Sequence, residues 1–406
     1  MVEVTPIPRI LFPLMLINLT AHMALSGGRV AGSVYALKTG ASELIAGVLM
    51  ALYAFLPVLT AVQVGRWVDR AGAFVAIRVG VACVIFGAAL PVLWLHITSM
   101  FFSAALIGFG FNVVSIALQN SVGRLNAHAA QEERLANFGW FAMSHSASST
   151  FGPFISGLLI DAFGYRIAFG ALVASAVIAM VITLRSRKAL PAAQVRDGEP
   201  GDATPNLLSL LETPEMRRIY TVSMSMSVVW DMFIILLPVL GHRLGFSASV
   251  IGTTFALFAL GTFAVRFATP WLSTRFREWE ILRTALVVMA MALAVLVAVS
   301  LALWPFLRSP FALMAVGFVL GAALGCGQPN MLSLLHTSAP SARTGEAVGL
   351  RSLVGNASSV SVPVAFGAGV ATFGIAPILF IGVLMVAGVI PAAHKGAVAR
   401  NEEDVR

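Results

Sequence analysis

The sequence predicts an all-α membrane protein: twelve spanning helices arranged as two related six-helix bundles. Three observations predict it. The first is composition. Of 406 residues, 58% are apolar and 11% charged, and the mean hydropathy is +0.90. A soluble domain carries roughly 25% charged residues, so a water-facing surface cannot be built from this set. The second is the alternation of long apolar runs with short polar breaks. The length suits about twelve spans of roughly 20 residues each. The third is an internal repeat, set out below.

Composition also excludes functions. A net charge of +8 would suggest nucleic acid in a soluble chain. Here the basic residues fall between apolar runs, so membrane topology explains them and no nucleic-acid partner is expected. Cys83 and Cys326 both lie inside apolar runs, where packing is the expected role. No glycine-rich phosphate loop ends in Lys-Ser or Lys-Thr, and no His/Cys/Asp cluster has metal-ligand spacing. The reading is therefore not an enzyme, with no metal and no cofactor, and with an ion gradient as energy source. A cleaved signal peptide is disfavoured because the repeat requires the first apolar segment as a mature helix.

In order, the runs predict helices over 10–30, 43–64, 75–95, 99–121, 136–159, 166–184, 217–240, 248–272, 281–303, 311–335, 347–371 and 375–393. Each is long enough to cross about 30 Å of hydrocarbon. Pro13, Pro57, Pro153 and Pro363 fall inside runs, which membrane helices tolerate when neighbours satisfy the freed carbonyls. With both termini on one side, that side collects 21 of the 26 Lys and Arg residues. The positive-inside rule then places both termini in the cytoplasm. The longest break, 185–216, carries Arg185, Arg187, Lys188 and four prolines and reads as a cytoplasmic linker. It divides an N-terminal bundle, 1–184, from a C-terminal bundle, 217–406, that ends in a short cytoplasmic tail.

The halves repeat. Met50-Ala51-Leu52-Tyr53-Ala54-Phe55 aligns with Phe255-Ala256-Leu257-Phe258-Ala259-Leu260, and the same offset of 205 pairs Gly47 with Gly252, Gly40 with Gly245 and Arg70 with Arg275. An offset of 210 pairs Ala147-Ser148-Ser149 with Ala357-Ser358-Ser359, Pro153 with Pro363, Gly157 with Gly367, and Phe163-Gly164 with Phe373-Gly374. Several matches in order, with one small shift, argue for a duplicated bundle.

Between the second and third runs stands Gly65-Arg66-Trp67-Val68-Asp69-Arg70-Ala71-Gly72. This pattern resembles the cytoplasmic loop motif of the major facilitator superfamily of transporters. In helix 5, Gly152-Pro153-Phe154-Ile155-Ser156-Gly157 is similar to a motif of the drug/proton antiporters of that superfamily, with Ser156 where glycine is usual. Asp161 to Arg166 then fits the family's outer loop, and Glu133-Arg134 resembles the pair that meets the 65–72 loop. The resemblance implies the major facilitator fold, with halves related by an axis along the membrane normal. It also implies alternating access and a gating role for Gly65, Asp69, Arg70, Gly72, Glu133 and Arg134. In the second half Thr274 and Arg275 stand at the corresponding places, so the acid is missing there. The alternative is an ordinary positive-inside loop.

Polar groups at depth are the candidate functional residues, because ionisable groups inside a bilayer are rare and usually line a cavity. Asp231, about 20 Å along helix 7 from Arg218 at 1.5 Å per residue, is a candidate for proton coupling or for a cationic substrate. A structural ion pair with Arg266 of helix 8 is the alternative. His22 and His145 sit at similar depth and are candidate proton relays, or histidines bonded within a bundle. Arg29 is read near the outer end of helix 1. The resemblance implies a cavity lined by helices 1, 4, 7 and 10, hence Asn18, Asn112, Gln328 and Asn330 as substrate contacts. Trp230 and Arg266 complete the candidate cavity. The expected function is a secondary active transporter in the inner membrane, exporting a small organic compound by proton antiport. Its expected partners are that small-molecule substrate and the lipid bilayer, and a monomer is the expected state. Uptake of a metabolite or organic acid, and a non-transporting membrane sensor or embedded enzyme, are the other readings.

Overall fold

The computed structural model describes residues 11–125, 131–187, 211–303, 305–338 and 344–403. Among them there are thirteen α-helices, one 3₁₀ turn at Pro305–Arg308, and no strand. The helices are α1 (Leu11–Lys38), α2 (Glu43–Ala71), α3 (Ala73–Leu93), α4 (Ile97–Leu125), α5 (Gln131–Phe163), α6 (Tyr165–Arg185) and α7 (Pro214–Arg243). They continue with α8 (Ala248–Ser273), α9 (Glu278–Ser300), α10 (Pro310–Gly325), α11 (Gly327–Ser338), α12 (Thr344–Phe373) and α13 (Ile375–Glu403).

Eleven spans meet the length and hydropathy needed to cross a membrane, α10 and α11 counting as one. The twelfth is α5, which is not among them: its middle reads Ser144-His145-Ser146-Ala147-Ser148-Ser149-Thr150. It still runs for 33 residues, because each hydroxyl there bonds back to a carbonyl or to another helix. Ser144, Ser146, Ser148, Ser149 and Thr150 all donate to carbonyls three or four residues earlier. An unsatisfied backbone or hydroxyl group in hydrocarbon would cost several kcal/mol.

The elements depart from the sequence reading in four places. First, α1 continues past residue 30 to Lys38. The stretch Gly27-Gly28-Arg29 reads as a weak end, but its glycines are contact points: a Cβ on Gly28 would meet the Tyr53 hydroxyl at 3.1 Å. Arg29 thus lies inside the helix, with its guanidinium 5.7 Å from the Tyr53 ring centre. Second, α2 is helical through Ala71, so the turn after it is confined to Gly72. Nothing between 65 and 71 breaks a helix, whereas Gly72 takes φ 82° and ψ 155°, which a side chain would resist. Third, the tenth span is two helices that break at Cys326. Fourth, α13 runs to Glu403, so the tail from 394 begins as helix. Most of the 185–216 linker lies outside the described residues.

The chain forms two compact units, Met1–Ala41 with Leu49–Glu199 and Ser247–Ala256, and Ser42–Val48 with Pro200–Phe246 and Leu257–Arg406. In the first, α1 packs on α4, α5 and α6, and α3 packs on α4 and α6. In the second, α7 packs on α11, α12 and α13, and α9 on α10, α11 and α13. The sequence repeat reappears as repeated contacts. In the first unit a Cβ on Gly108 of α4 would collide with the backbone of Tyr53, and in the second a Cβ on Gly321 of α10 would collide with the backbone of Phe258. Tyr53 and Phe258 are the residues paired by the 205 offset. Such glycines let helix backbones touch, which is how membrane helices gain packing without a hydrophobic driving force. The turn glycines Gly164 and Gly374 repeat as well, with φ of 84° and 83°.

Each unit also takes in the first turns of a helix whose remainder lies in the other. In the first unit, the start of α8 lies against α5. A Cβ on Gly157 would strike the Ala248 carbonyl, and one on Gly252 the Pro153 carbonyl. In the second unit, the start of α2 lies against α12, with Gly367 against the Glu43 carbonyl and Gly47 against the Pro363 carbonyl.

Candidate functional site

The first unit gathers three of the predicted residues between α1, α4 and α5. Asn18 is buried, and its Nδ2 donates to Ser144 Oγ at 2.9 Å. One turn further along α1, His22 Nδ1 lies 2.7 Å from Ser148 Oγ. Its ring lies against that of His145, tilted by 34° with 3.9 Å between centroids, and Phe111 of α4 closes another side at 4.8 Å. His22 is 6% exposed, whereas His145 is exposed. Ser148 Oγ donates to the His145 carbonyl at 2.8 Å. With its one hydrogen used there, Ser148 accepts from His22 Nδ1–H, which leaves Nε2 as the basic nitrogen. Both rings face Phe111, at 4.8 Å from His22 and 6.4 Å from His145. Beside it, Asn112 Nδ2 is buried without a hydrogen-bond partner.

The second unit holds Asp231 near the middle of the 30-residue α7. It is 6% exposed, and Ser359 Oγ of α12 donates to its Oδ1 at 3.0 Å. Next to it, Trp230 meets Phe258 edge to face at 5.0 Å, and Phe258 stacks on Phe233 at 4.7 Å. A carboxyl at mid-span is rare among apolar helices, where ionisable groups usually line a cavity.

The two clusters are one design used twice. Each puts a titratable side chain on the first helix of its half and bonds it to a serine on the fifth. The serines, Ser148 and Ser359, come from the Ala-Ser-Ser triplets paired by the 210 offset. Sequence reasoning records that triplet as a repeat but does not single out its hydroxyls as site residues. It places Asp161 in the outer loop but does not foresee its cap: its carboxylate oxygens accept from the backbone N–H of Ala248 at 3.1 Å and Ser249 at 2.7 Å. The Glu43–Arg243 ion pair in the second unit is likewise unforeseen. In that pair Arg243 Nε donates to Glu43 Oε1 at 3.2 Å.

The other candidates are dispersed. Gly152 of the helix 5 motif packs on α1, where a Cβ would collide with Ser26 Oγ. Gly157 packs on the start of α8, and Pro153 sits within α5. Arg266 lies half-buried in α8. Asn330 is buried, and its Nδ2 donates to the Cys326 carbonyl at 2.8 Å, across the break between α10 and α11. Gly65 lies in α2 with open space where a Cβ would stand, and Arg70 is exposed. The side chains of Asp69, Glu133, Arg134 and Gln328 lie outside the described ones.

Ionisable groups at mid-depth in a bundle of apolar helices fit the cavity of a transporter. The sequence profile of the Major Facilitator Superfamily matches residues 14–363, and the chain belongs to that superfamily. It is a multi-pass membrane protein that transports a small molecule. Among solved structures, it is similar to the peptide transporter POT in complex with sulfate (TM-score 0.77, 16% identity, 96% of this chain and 95% of that chain covered). It is also similar to a bacterial homolog of the human lysosomal transporter Spinster (0.71, 14%, 95% and 96%). The nucleoside transporter NupG is a third (0.75, 12%, 96% and 100%). At these identities the likeness is one of fold. No curated protein matches the sequence.

Proposed function

We propose that the protein exports a small organic compound by proton antiport, working by alternating access in a bacterial inner membrane with both termini in the cytoplasm. The observation that carries this reading is Asp231: a buried carboxyl in the middle of a span, bonded by a hydroxyl. Such a group can take a proton from one side and release it to the other when the cavity changes face. The His22–His145 pair is the second protonatable site, and Asn18, Asn112, Trp230, Arg266, Gln328 and Asn330 supply substrate contacts. Asp69, Arg70, Glu133 and Arg134 act at the cytoplasmic gate, with Gly65 and Gly72 permitting close approach. Export is favoured by the helix 5 motif at Gly152, Pro153 and Gly157, and the orientation by the 21-to-5 division of basic residues. The working unit is a monomer.

The test is proton flux in proteoliposomes of known orientation. An interior pH dye would report flux on addition of each of a panel of amphipathic organic compounds. Proton release coupled to compound movement in the opposite direction is expected, and Asp231→Asn should abolish it. Movement of both species in the same direction would instead establish uptake. Full gradient-driven transport by Asp231→Asn would remove the coupling assignment.

A further inference from the structure

The second unit contains a cavity that shares only Asn330 with the candidate substrate contacts. It opens at the turn from α8 into α9, has a volume of about 430 Å³, and is walled on its far side by α11. Thr269, Thr274, Arg275 and Arg277 line one side, with Asn330 and Ser333 opposite. Two guanidinium groups supply up to ten N–H donors, and the hydroxyls add more. The single carboxylate in the lining, Glu278, accepts from Ser333 Oγ at 2.8 Å. The formal charge of the lining is thus two arginines against one glutamate, or +1.

What lies beside the cavity decides what fills it. On α8, Phe267 is 82% exposed and Trp271, one turn on, 54% exposed, so both project from one face of the helix. Phe276 of the turn is also exposed. The Trp271 ring lies under the Arg275 guanidinium, 4.6 Å from its carbon. Tryptophan at a helix end with a cation above it marks the boundary between hydrocarbon and headgroups. An apolar stripe therefore leads directly into a basic, hydroxyl-lined hollow of a size suited to a small polar group.

We infer that this cavity binds the headgroup of an acidic phospholipid, its phosphate on Arg275 and Arg277 and its acyl chains along Phe267 and Trp271. A soluble anion would satisfy the arginines but would leave the aromatic stripe unused. A zwitterionic lipid would bring a cation toward two arginines. Thr274 is central to the argument: it stands where the first half has Asp69, and a carboxylate there would repel a phosphate. The missing acid of the second-half loop is then the condition for a lipid site.

The experiment uses purified, delipidated full-length protein in neutral detergent. Native mass spectrometry would measure binding of phosphatidylglycerol, phosphatidylcholine and inorganic phosphate, each added alone. Phosphatidylglycerol should bind as a retained adduct, phosphatidylcholine much more weakly, and phosphate not measurably. Arg275→Gln with Arg277→Gln should weaken phosphatidylglycerol by about tenfold or more, given the usual worth of an arginine near anionic lipid. Thr274→Asp, which leaves both arginines in place, should weaken it similarly. Equal binding of phosphatidylglycerol by these variants and the parent protein would overturn the proposal, as would equal retention of phosphatidylcholine. Retention of phosphate alone would make the cavity a soluble-anion site.

Discussion

The two halves of the molecule solve the same problem with different chemistry. Both bond a titratable group on their first helix to a serine on their fifth, at His22–Ser148 and at Asp231–Ser359. The first half uses a base set against a second base. The second uses an acid beside aromatic rings. An acid is neutral when protonated and an imidazole is charged when protonated, so one added proton has opposite consequences in the two places. Duplication supplied the helices and the serine pair, but the halves use different members of it: at the 210 offset Ser148 corresponds to Ser358, and Ser359 to Ser149. The same division appears where helix starts are held. Asp161 caps the first N–H groups of α8, whereas the start of α2 is held by an ion pair between Glu43 and Arg243.

That comparison can be broken or sharpened by substitution. The largest expected effect is Asp231→Asn. Gradient-driven transport in proteoliposomes should fall by about 100-fold or more, the scale on which a positioned proton-transfer group contributes, with the unfolding temperature little changed. Next is the shared glycine contact. Gly108→Ala and Gly321→Ala should each destabilise by about 2 kcal/mol through overpacking against a fixed backbone, read as thermal unfolding in detergent. If only one did so, the repeat would be one of sequence and not of packing. His22→Gln keeps a polar side chain but loses the base. It should slow transport by roughly tenfold, the equivalent of about 1.4 kcal/mol and the upper range for one neutral hydrogen bond. It should also flatten the pH dependence of the rate, and a loss as deep as that of Asp231→Asn would make the first half the coupling site. Asp161→Ala removes a helix cap and should cost about 1 kcal/mol of stability. Glu43→Gln removes a partly exposed ion pair and should cost only about 0.5 kcal/mol. A reversal of those last two values would mean that the pair, and not the cap, holds its helix start.

Spans and repeat are legible in the sequence because both are periodic or local. Hydropathy finds each apolar run, and offsets of 205 and 210 find the duplicated helices. The end of α1 is misjudged because hydropathy averages over side chains: Gly27, Gly28 and Arg29 lower the average, while the two glycines let α1 pack closely. The extent of α2 is misjudged for the opposite reason: a polar, charged segment reads as a loop although no residue in it breaks a helix before Gly72. The break at Cys326 has a local signature that hydropathy averages away: glycines flank the cysteine, and Pro329 has no N–H for the Gly325 carbonyl and crowds it. For the site, the individual titratable residues stand out, since Asp231 and the histidines are rare groups in apolar runs. Their partners do not. His22 and His145 lie 123 residues apart in sequence, and only packing of α1 on α5 shows that they touch. A serine at mid-helix most often bonds its own backbone, as Ser148 does here, so its bond to another helix is invisible until the neighbouring helix is in place.

The serine-rich middle of α5 has a consequence for biosynthesis. Segments enter the bilayer from the translocon according to their own affinity for lipid, and this one offers hydroxyls and a histidine where leucines would serve. Asn18, His22 and Ser26 of α1 meet those groups, Ser26 through the Ser148 carbonyl at 2.9 Å. The helix that supplies these partners, α1, leaves the ribosome before α5 and makes it acceptable to the membrane, so integration of α5 becomes an act of assembly rather than of simple partitioning.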